Sequence, residues 1–177
     1  MTAPLIPLPE TDAPALPNWP VVARFSLPNE AATDALATRL AAVLQAGDTV
    51  LLSGSLGAGK THLARALIRA CLGAPAEPVP SPTFTLVQSY DAGASEIWHA
   101  DLYRLGDPGE VSELGLDDAF GQAICLVEWP DRLAPDWPQE AVLIHMERLP
   151  DDSRRVRVFA PQEGKSLTAR VLTAFPS

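Results

Sequence analysis

The feature that most constrains this chain is residues 54–61, GSLGAGKT, which fit the spacing G-x-x-x-x-G-K-[ST]. The apolar run Val50–Leu52 precedes this segment, and a stretch of good helix-forming residues follows it and ends at Gly73. A strand, a glycine-rich loop and a helix in this order predict a phosphate-binding loop. The alternative is a glycine-rich β–α turn that binds no ligand, but the intact spacing in this context favours a nucleotide site.

The residue types of this loop suit phosphate chemistry. Glycines such as Gly57 and Gly59 let backbone amides converge on phosphate oxygens without a Cβ in the way. A helix that begins near Lys60 adds free N–H groups and the positive end of its dipole. Lys60 supplies a mobile positive charge for the β- and γ-phosphates, and the Thr61 hydroxyl is placed to ligate Mg²⁺.

Length and composition indicate a single domain with a proline-rich start. The chain has 177 residues, and residues 1–20 carry six prolines without periodicity, which predicts a disordered or loosely packed extension. Residues 21–177 are then expected to form one domain. The formal net charge is −9 and the sequence shows no basic cluster, so a connection to RNA is expected to run through a partner.

The cysteines and the hydrophobic segments of the sequence predict the cellular compartment. Cys71 and Cys125 fall in a predicted helix end and a predicted buried strand, as small core residues of a reducing compartment do. No hydrophobic stretch is long enough to span a bilayer, and the N-terminus has no basic region typical of a signal peptide. The expected location is the cytoplasm, with no membrane contact.

Hydrophobic periodicity and turn signals predict an alternation of strands and helices. A strand over 21–27 is followed by a helix that Asn29 caps, and two strands joined by the turn at 91–94 suggest a hairpin. Residues 107–121 are predicted to form short, acidic helical turns. The end of the chain predicts two antiparallel strands and a last helix, within 141–149, 154–161 and 165–175.

Two acids at predicted strand ends are candidates for the phosphate site. Asp101 ends the second hairpin strand, where it is either a capping group or a functional acid at the carboxyl end of the sheet. Glu128 ends the continuous apolar run 124–127, which is typical of a strand buried in a parallel sheet. There it is either a salt-bridge partner or the second metal residue of a phosphate-loop NTPase.

The loop 81–85, SPTFT, offers hydroxyl groups from Thr83 and Thr85. These residues form turns and caps in one interpretation. In the other they belong to a segment that senses the γ-phosphate, because such folds place it after the first β–α unit. The three histidines are too dispersed to predict a metal cluster.

Four motifs taken together resemble the bacterial TsaE (YjeE) ATPase family. They are GSLGAGKT, SPTFTLV, HADLYRL and CLVEWP, in that order, within a resemblance that covers roughly residues 22–160. The resemblance implies an α/β phosphate-loop NTPase fold with a mixed central sheet flanked by helices. It also implies a role in making N6-threonylcarbamoyladenosine in tRNA, where ATP binding and hydrolysis support turnover by the partner pair TsaD–TsaB.

The resemblance assigns roles to individual residues. Gly57, Ala58, Gly59, Lys60 and Thr61 would hold the phosphates of ATP. Mg²⁺ would be ligated by Thr61 together with the acid that ends CLVE.

That acid is Glu128. The catalytic groups would be Glu128, Lys60 and Asp101 of the motif DLYR, and Asp101 would be needed for hydrolysis. Thr83 and Thr85 would lie in the switch segment and Trp129 beside the site.

Two further positions would contact the nucleotide. Glu30, which periodicity alone presents as a solvated acid of a first helical turn, matches a family position of this kind, and so does Arg154. The chain departs from the family pattern at Ser55, where many relatives have an acid, and at His62, where a second threonine or serine is common.

Two other functions use the same loop. A small-molecule kinase would transfer the γ-phosphate to a metabolite, although no acceptor signature is visible in the sequence. A nucleotide-sensing subunit would bind ATP with little turnover. Hydrolysis that is slow alone and rises with the partner proteins would distinguish the accessory ATPase from both.

Overall fold

In a computed structural model that describes residues 15–107, 109–162 and 165–176, one seven-stranded sheet carries helices on both faces. The strands are β1 (Val21–Leu27), β2 (Thr49–Gly54), β3 (Val87–Asp91), β4 (Glu96–Asp101), β5 (Ile124–Glu128), β6 (Ala141–Arg148) and β7 (Arg154–Phe159). The helices are α1 (Glu30–Val43), α2 (Lys60–Leu72), α3 (Gly109–Glu113), α4 (Leu116–Ala119) and α5 (Lys165–Leu172). A short 3-10 helix spans Pro130–Leu133.

The sheet is mixed, as the sequence predicts. Its strand order is β1-β7-β6-β2-β5-β4-β3, with β6, β2, β5 and β4 parallel at the centre and antiparallel pairs at both edges. Every residue of β2 and β5 is buried, because a central parallel strand is covered on both faces. The predicted hairpin is the β3–β4 pair, and the predicted antiparallel pair near the end of the chain is β6–β7.

Local signals place the ends of the two helices nearest the phosphate loop. The Asn29 side chain accepts a hydrogen bond from the Ala32 amide at 3.0 Å, and this contact begins α1. Helix α2 begins at Lys60, directly after the glycines, and Gly73 ends it in the left-handed conformation with φ 61°. All three of these predicted helix boundaries are therefore confirmed, and the N-terminus of α2 points at the loop.

Two apolar clusters fix the helices to the sheet. One face packs against α1, α2 and α5, and the other packs against α3, α4 and a set of aromatic side chains. Trp19 joins this second cluster, with its ring edge-to-face on Trp137 at 6.2 Å between centroids. The Pro20 carbonyl accepts a hydrogen bond from the Ala160 amide at 3.2 Å. Residues 15–20 thus contact the domain, whereas the predicted disorder of residues 1–14 concerns a segment outside the described residues.

Both cysteines are free thiols. Cys125 is buried and Cys71 is half-buried, and burial raises the pKa of Cys71 to about 11. Such thiols are poor nucleophiles near neutral pH, which agrees with their predicted role as small packing residues. Among the helices that the structure describes, none is long and apolar enough to cross a membrane.

Candidate nucleotide site

The loop between β2 and α2 takes a backbone path that requires glycine. Gly54 has φ 140°, and a Cβ placed there would lie 2.2 Å from the Met146 carbonyl oxygen. No larger residue can therefore stand at this position without moving the backbone of β6. Gly59 also has a positive φ, of 106°, where the chain turns into the helix.

The amides of this loop are available to a ligand. Among the described residues, those of Gly57, Gly59 and Lys60 donate to no carbonyl in the loop or helix cap, whereas the Ala58 amide bonds the Ser55 carbonyl at 3.1 Å. Amides at the start of a helix carry its partial positive charge. The loop thus presents several amides without an acceptor among the described residues, as a phosphate requires.

Lys60 is folded back over this surface. Its Nζ donates to the carbonyls of Gly54 and Ser55, both at 2.8 Å, and the Trp129 ring centroid lies 4.2 Å away. Burial lowers the pKa of Lys60, while the negative charges of Glu128 and Asp101 act in the opposite direction. The ammonium group is thus held at the loop by carbonyl oxygens, an aromatic face and two nearby acids.

Thr61, Glu128 and His99 form one chain of contacts. The Thr61 hydroxyl donates to Glu128 Oε1 at 2.5 Å, and Glu128 Oε2 lies 2.7 Å from His99 Nε2. The side chains of His99 and Glu128 are 0% and 1% exposed, so water does not compete for these contacts. Because a carboxylate only accepts hydrogen bonds, His99 Nε2 carries the hydrogen. His99 Nδ1 is buried without a partner among the described residues.

Asp101 lies next to this chain because of the strand register. Strands β4 and β5 are parallel, with Asp101 opposite Glu128. Asp101 Oδ1 accepts from the Tyr103 amide at 3.0 Å, and Oδ2 lies 3.3 Å from the Thr83 hydroxyl. The Thr83 hydroxyl in turn contacts Ser81 Oγ at 2.7 Å. The hydroxyl-rich loop is therefore linked directly to one of the two predicted acids.

Trp129 covers the site in a conformation that is unusual for a large residue. Its φ is 56° and its ψ 53°, immediately after the end of β5. The Tyr103 ring packs against it at 4.8 Å between centroids. A positive φ in a bulky residue persists only where the surrounding structure holds it, and such positions cluster at functional sites.

Glu30 and Arg154 lie on the other side of Gly59. Together with Gly59 and His62 they line a small cavity between the start of α1, the start of α2 and the β6–β7 turn. Arg154 Nε donates to the Ala58 carbonyl at 2.8 Å and is thereby fixed to the phosphate loop. The two predicted nucleotide contacts therefore face one space, which adjoins the loop.

Two placements differ from what the pattern alone suggests. Thr85 is exposed and accepts a hydrogen bond from Gln88 Nε2 at 3.0 Å, so it lies outside the contacts that join Thr83 to Asp101. His99 is buried against Glu128, although the sequence gives it no role. The only signal in the sequence was that His99 lies two residues before Asp101 in one predicted strand. This spacing places the two side chains on the same face of the sheet.

The oxygen donors suit a magnesium ion. Thr61 and Glu128 offer a hydroxyl and a carboxylate in direct contact, and Mg²⁺ prefers such oxygen ligands and completes its shell with phosphate and water. No group of three or more histidines, cysteines and acids that could hold a metal alone occurs in the described part of the chain. This donor set therefore fits a metal that binds together with a nucleotide.

Comparison with known proteins gives a consistent result. The family model described as "Threonylcarbamoyl adenosine biosynthesis protein TsaE" matches residues 27–156. A tRNA threonylcarbamoyladenosine biosynthesis protein TsaE from Bacillus subtilis is 40% identical over 129 residues, which cover 72% of this chain and 79% of that protein. A TsaE protein from Haemophilus influenzae is 37% identical over 127 residues, with 71% and 77% coverage.

A solved structure extends this similarity to the fold. The crystal structure of YdiB from Bacillus subtilis superposes with a TM-score of 0.69 at 30% sequence identity. The match covers 87% of this chain and 97% of that one. The phosphate loop, the hydroxyl-rich loop and both candidate acids lie inside the residues that the family model matches.

Proposed function

Since the chain belongs to the TsaE family of tRNA threonylcarbamoyladenosine biosynthesis proteins, we propose that it is a Mg²⁺-dependent ATPase of that pathway. The observation that carries this proposal is the contact network at the phosphate loop. Lys60 is bound to the loop carbonyls beside Thr61, Thr61 donates to Glu128 at 2.5 Å, and Asp101 stands opposite Glu128 in the neighbouring strand. This is the set of groups that phosphoryl transfer requires.

ATP binding is assigned to the loop and the cavity beside it. The free amides and the Lys60 ammonium would hold the β- and γ-phosphates of ATP. Glu30 and Arg154 line the cavity on the far side of Gly59 and would contact the rest of the nucleotide.

Hydrolysis is assigned to the acids. Thr61 and Glu128 would hold Mg²⁺, which neutralises charge on the β- and γ-phosphates when bound. Lys60 would stabilise charge that develops on the γ-phosphoryl group, and Asp101 or Glu128 would orient the attacking water. The contact between Asp101 and Thr83 supports a role for the loop 81–85 as a switch that responds to the γ-phosphate.

The biological role in this proposal is accessory. ATP hydrolysis would support repeated turnover by the TsaD–TsaB pair in the cytoplasm, and tRNA would be reached through that complex. The net charge of −9 supports an indirect contact with tRNA, since most of such a surface repels a polyphosphate.

Phosphate release from ATP tests the proposal, measured with the purified chain alone and with TsaD–TsaB. We expect slow release alone, a marked rise with the pair, and loss of both in Lys60→Ala. Lys60→Arg keeps a positive charge at this buried position, so it serves as the control that separates loss of the charge from loss of the lysine geometry. Release that depends on an added metabolite would indicate a kinase, and ATP binding without turnover in every mixture would indicate a nucleotide sensor. Wild-type turnover in Lys60→Ala would contradict the assignment of this loop.

A further inference from the structure

A row of polar side chains crosses four adjacent strands next to the phosphate loop. Ser53 of β2 lies opposite His145 of β6, His145 opposite Arg157 of β7, and Arg157 opposite Arg24 of β1. Residues directly opposite one another point to the same face of a sheet. We call these four residues the arginine row.

The arginine row lies on the sheet face away from α1, α2 and α5. Leu51 precedes Ser53 by two residues and Leu143 precedes His145 by two, so each pair shares a face. Leu51 and Leu143 belong to the apolar cluster on that second face. The row continues the same face beyond the cluster, towards the ends of β6 and β2 nearest the phosphate loop.

The positive charge of the arginine row is not compensated. Arg24 and Arg157 are like charges directly opposite each other, an arrangement that destabilises a sheet. Within the described residues, neither makes an ion pair or a hydrogen bond, and Arg157 only lies over the Phe159 ring at 5.6 Å. On β1, β6 and β7, the acid that shares this face is Glu147, which is already paired with Arg155 at 3.2 Å.

We propose that the arginine row is a docking surface for a cluster of carboxylates on an acidic protein partner. Arg24 is exposed and Arg157 half-buried, so both guanidinium groups can reach a partner. Guanidinium groups bind carboxylates in a bidentate manner, and such a contact would relieve the repulsion between the two arginines.

Charge also argues for a protein rather than RNA. With a net charge of −9, the rest of the surface repels a long polyanion that extends past the row. A compact acidic patch meets only the row, because charges farther away than about 8 Å are largely screened at physiological salt.

The position of the arginine row connects it to the nucleotide site. Ser53, the buried end of the row, immediately precedes Gly54 of the phosphate loop, and Arg157 lies two strands away from it, about 10 Å at the usual strand spacing. This inference rests on the proposed function only where it takes the TsaD–TsaB pair as the partner. A second probe, a fluorescent decaglutamate peptide, is independent of that choice.

The test compares Arg24→Glu/Arg157→Glu with Arg39→Glu. Arg39 is an exposed arginine of α1, a helix on the opposite face, and its reversal is a matched change of charge. Affinity for TsaD–TsaB is measured at low and high salt in the presence of ATP and Mg²⁺. We expect the double variant to bind the pair roughly tenfold or more weakly at low salt, with a reduced salt dependence, and Arg39→Glu to bind as the wild type does. ATP affinity, measured in parallel, should be unchanged in both and shows that the site is folded.

Each other outcome has a defined meaning. Equal affinity of the double variant and the wild type for both the pair and decaglutamate overturns the docking surface. If the wild type does not bind the pair but binds decaglutamate through the row, the proposed partner fails and the carboxylate surface stands. If the double variant loses binding to tRNA while decaglutamate binds neither protein, the row is an RNA contact and the inference is wrong.

Discussion

The Glu128 carboxylate is held from two sides, by the Thr61 hydroxyl and by the His99 ring, in a position closed to solvent. An imidazole N–H that donates to one carboxylate oxygen leaves the other oxygen directed at Thr61. Such supporting contacts orient a metal ligand and are commonly worth about 10- to 100-fold in metal affinity.

Replacing His99 should therefore weaken Mg²⁺ binding at the proposed metal site. In His99→Leu we expect the half-saturating Mg²⁺ concentration to rise by about 10- to 100-fold. His99→Gln, which keeps a donor near the Nε2 position, should stay much closer to the wild type. A Mg²⁺ titration of fluorescent ATP-analogue binding measures this independently of turnover. Equal Mg²⁺ dependence in His99→Leu and the wild type would show that His99 has only a packing role.

The strand, loop and helix around the phosphate loop were predictable, because they are formed by one continuous segment of the sequence. Lys60 contacts the Gly54 and Ser55 carbonyls, six and five positions away, and a spacing pattern captures contacts of this range. The contact between His99 and Glu128 joins residues 29 positions apart. It depends on the pairing of two strands, which the alternation of residues within one strand does not specify.

At the scale of elements, α5 is fixed to the sheet by a fork of hydrogen bonds. Arg170 donates to Asp48 Oδ2 at 2.6 Å and Oδ1 at 2.8 Å, and also to the Val43 carbonyl at 2.6 Å. One arginine thus connects the last helix with the end of α1 and the start of β2. Asp48 is only 5% exposed, so this pair holds a nearly buried charge.

Removing Arg170 should destabilise the protein. Arg170→Met leaves the Asp48 carboxylate buried without its cation, and we expect a loss of about 3 kcal/mol in the free energy of unfolding, the low end for a buried pair because the Arg170 side chain is 24% exposed. The double variant Asp48→Asn/Arg170→Met removes the buried charge and should recover part of the loss. Urea denaturation measures both, and an unchanged midpoint in Arg170→Met would contradict this account.

We expect the protonation of His145 to make the free energy of unfolding depend on pH. Burial and the nearby Arg157 lower the pKa of His145 below its ordinary value of 6.5. Between that lowered pKa and 6.5 the unfolded chain binds more protons than the folded one, so this residue makes stability fall as the pH falls below 6.5. His145→Gln should lose this contribution. Unfolding free energies at about pH 7.5 and about pH 5.5 measure it, and an equal loss in both proteins would rule it out.

Secondary structure was also predictable where hydrophobic period and capping agree. The buried run of β5, the Asn29 cap and the final glycine of α2 are local signals, and the structure follows them. Strand β3 begins at Val87, directly after Leu86. Leu86 has φ 66°, and its carbonyl accepts from the Asp101 amide at 2.9 Å, a long-range contact that the sequence pattern does not contain.

For the whole molecule, nucleotide binding should appear as stability. A ligand present at 100 times its dissociation constant, bound only by the folded state, contributes about 2.7 kcal/mol. For a protein of this size that amounts to a rise in melting temperature of about 5 to 10 °C. We expect this rise with ATP and Mg²⁺ together, a smaller one with ATP alone, and little in Lys60→Ala. Thermal unfolding monitored by fluorescence measures it, and equal rises in Lys60→Ala and the wild type would contradict the assigned phosphate contacts.

The net charge of the whole molecule does not show where the individual charges lie on its surface. A net charge of −9 predicts a uniformly acidic surface, whereas the sheet order brings Arg24 beside Arg157 from positions 133 residues apart (157 − 24). The charge total is a property of composition, but the position of each charge is a property of topology. Sequence reasoning can therefore exclude a strongly basic protein without excluding a local basic surface.

The Lys60 ammonium donates hydrogen bonds to the Gly54 and Ser55 carbonyls of its own loop, so the loop binds this cation through its own backbone. An arriving phosphate must compete with these two carbonyls for the same ammonium hydrogens, so part of the binding free energy is spent in exchanging one set of acceptors for another. For the proposed ligand ATP, the affinity would then depend on how strongly the Lys60 ammonium binds the phosphate oxygens compared with these two carbonyls. A partner that shifts either carbonyl by a fraction of an ångström would retune nucleotide affinity without contacting the nucleotide.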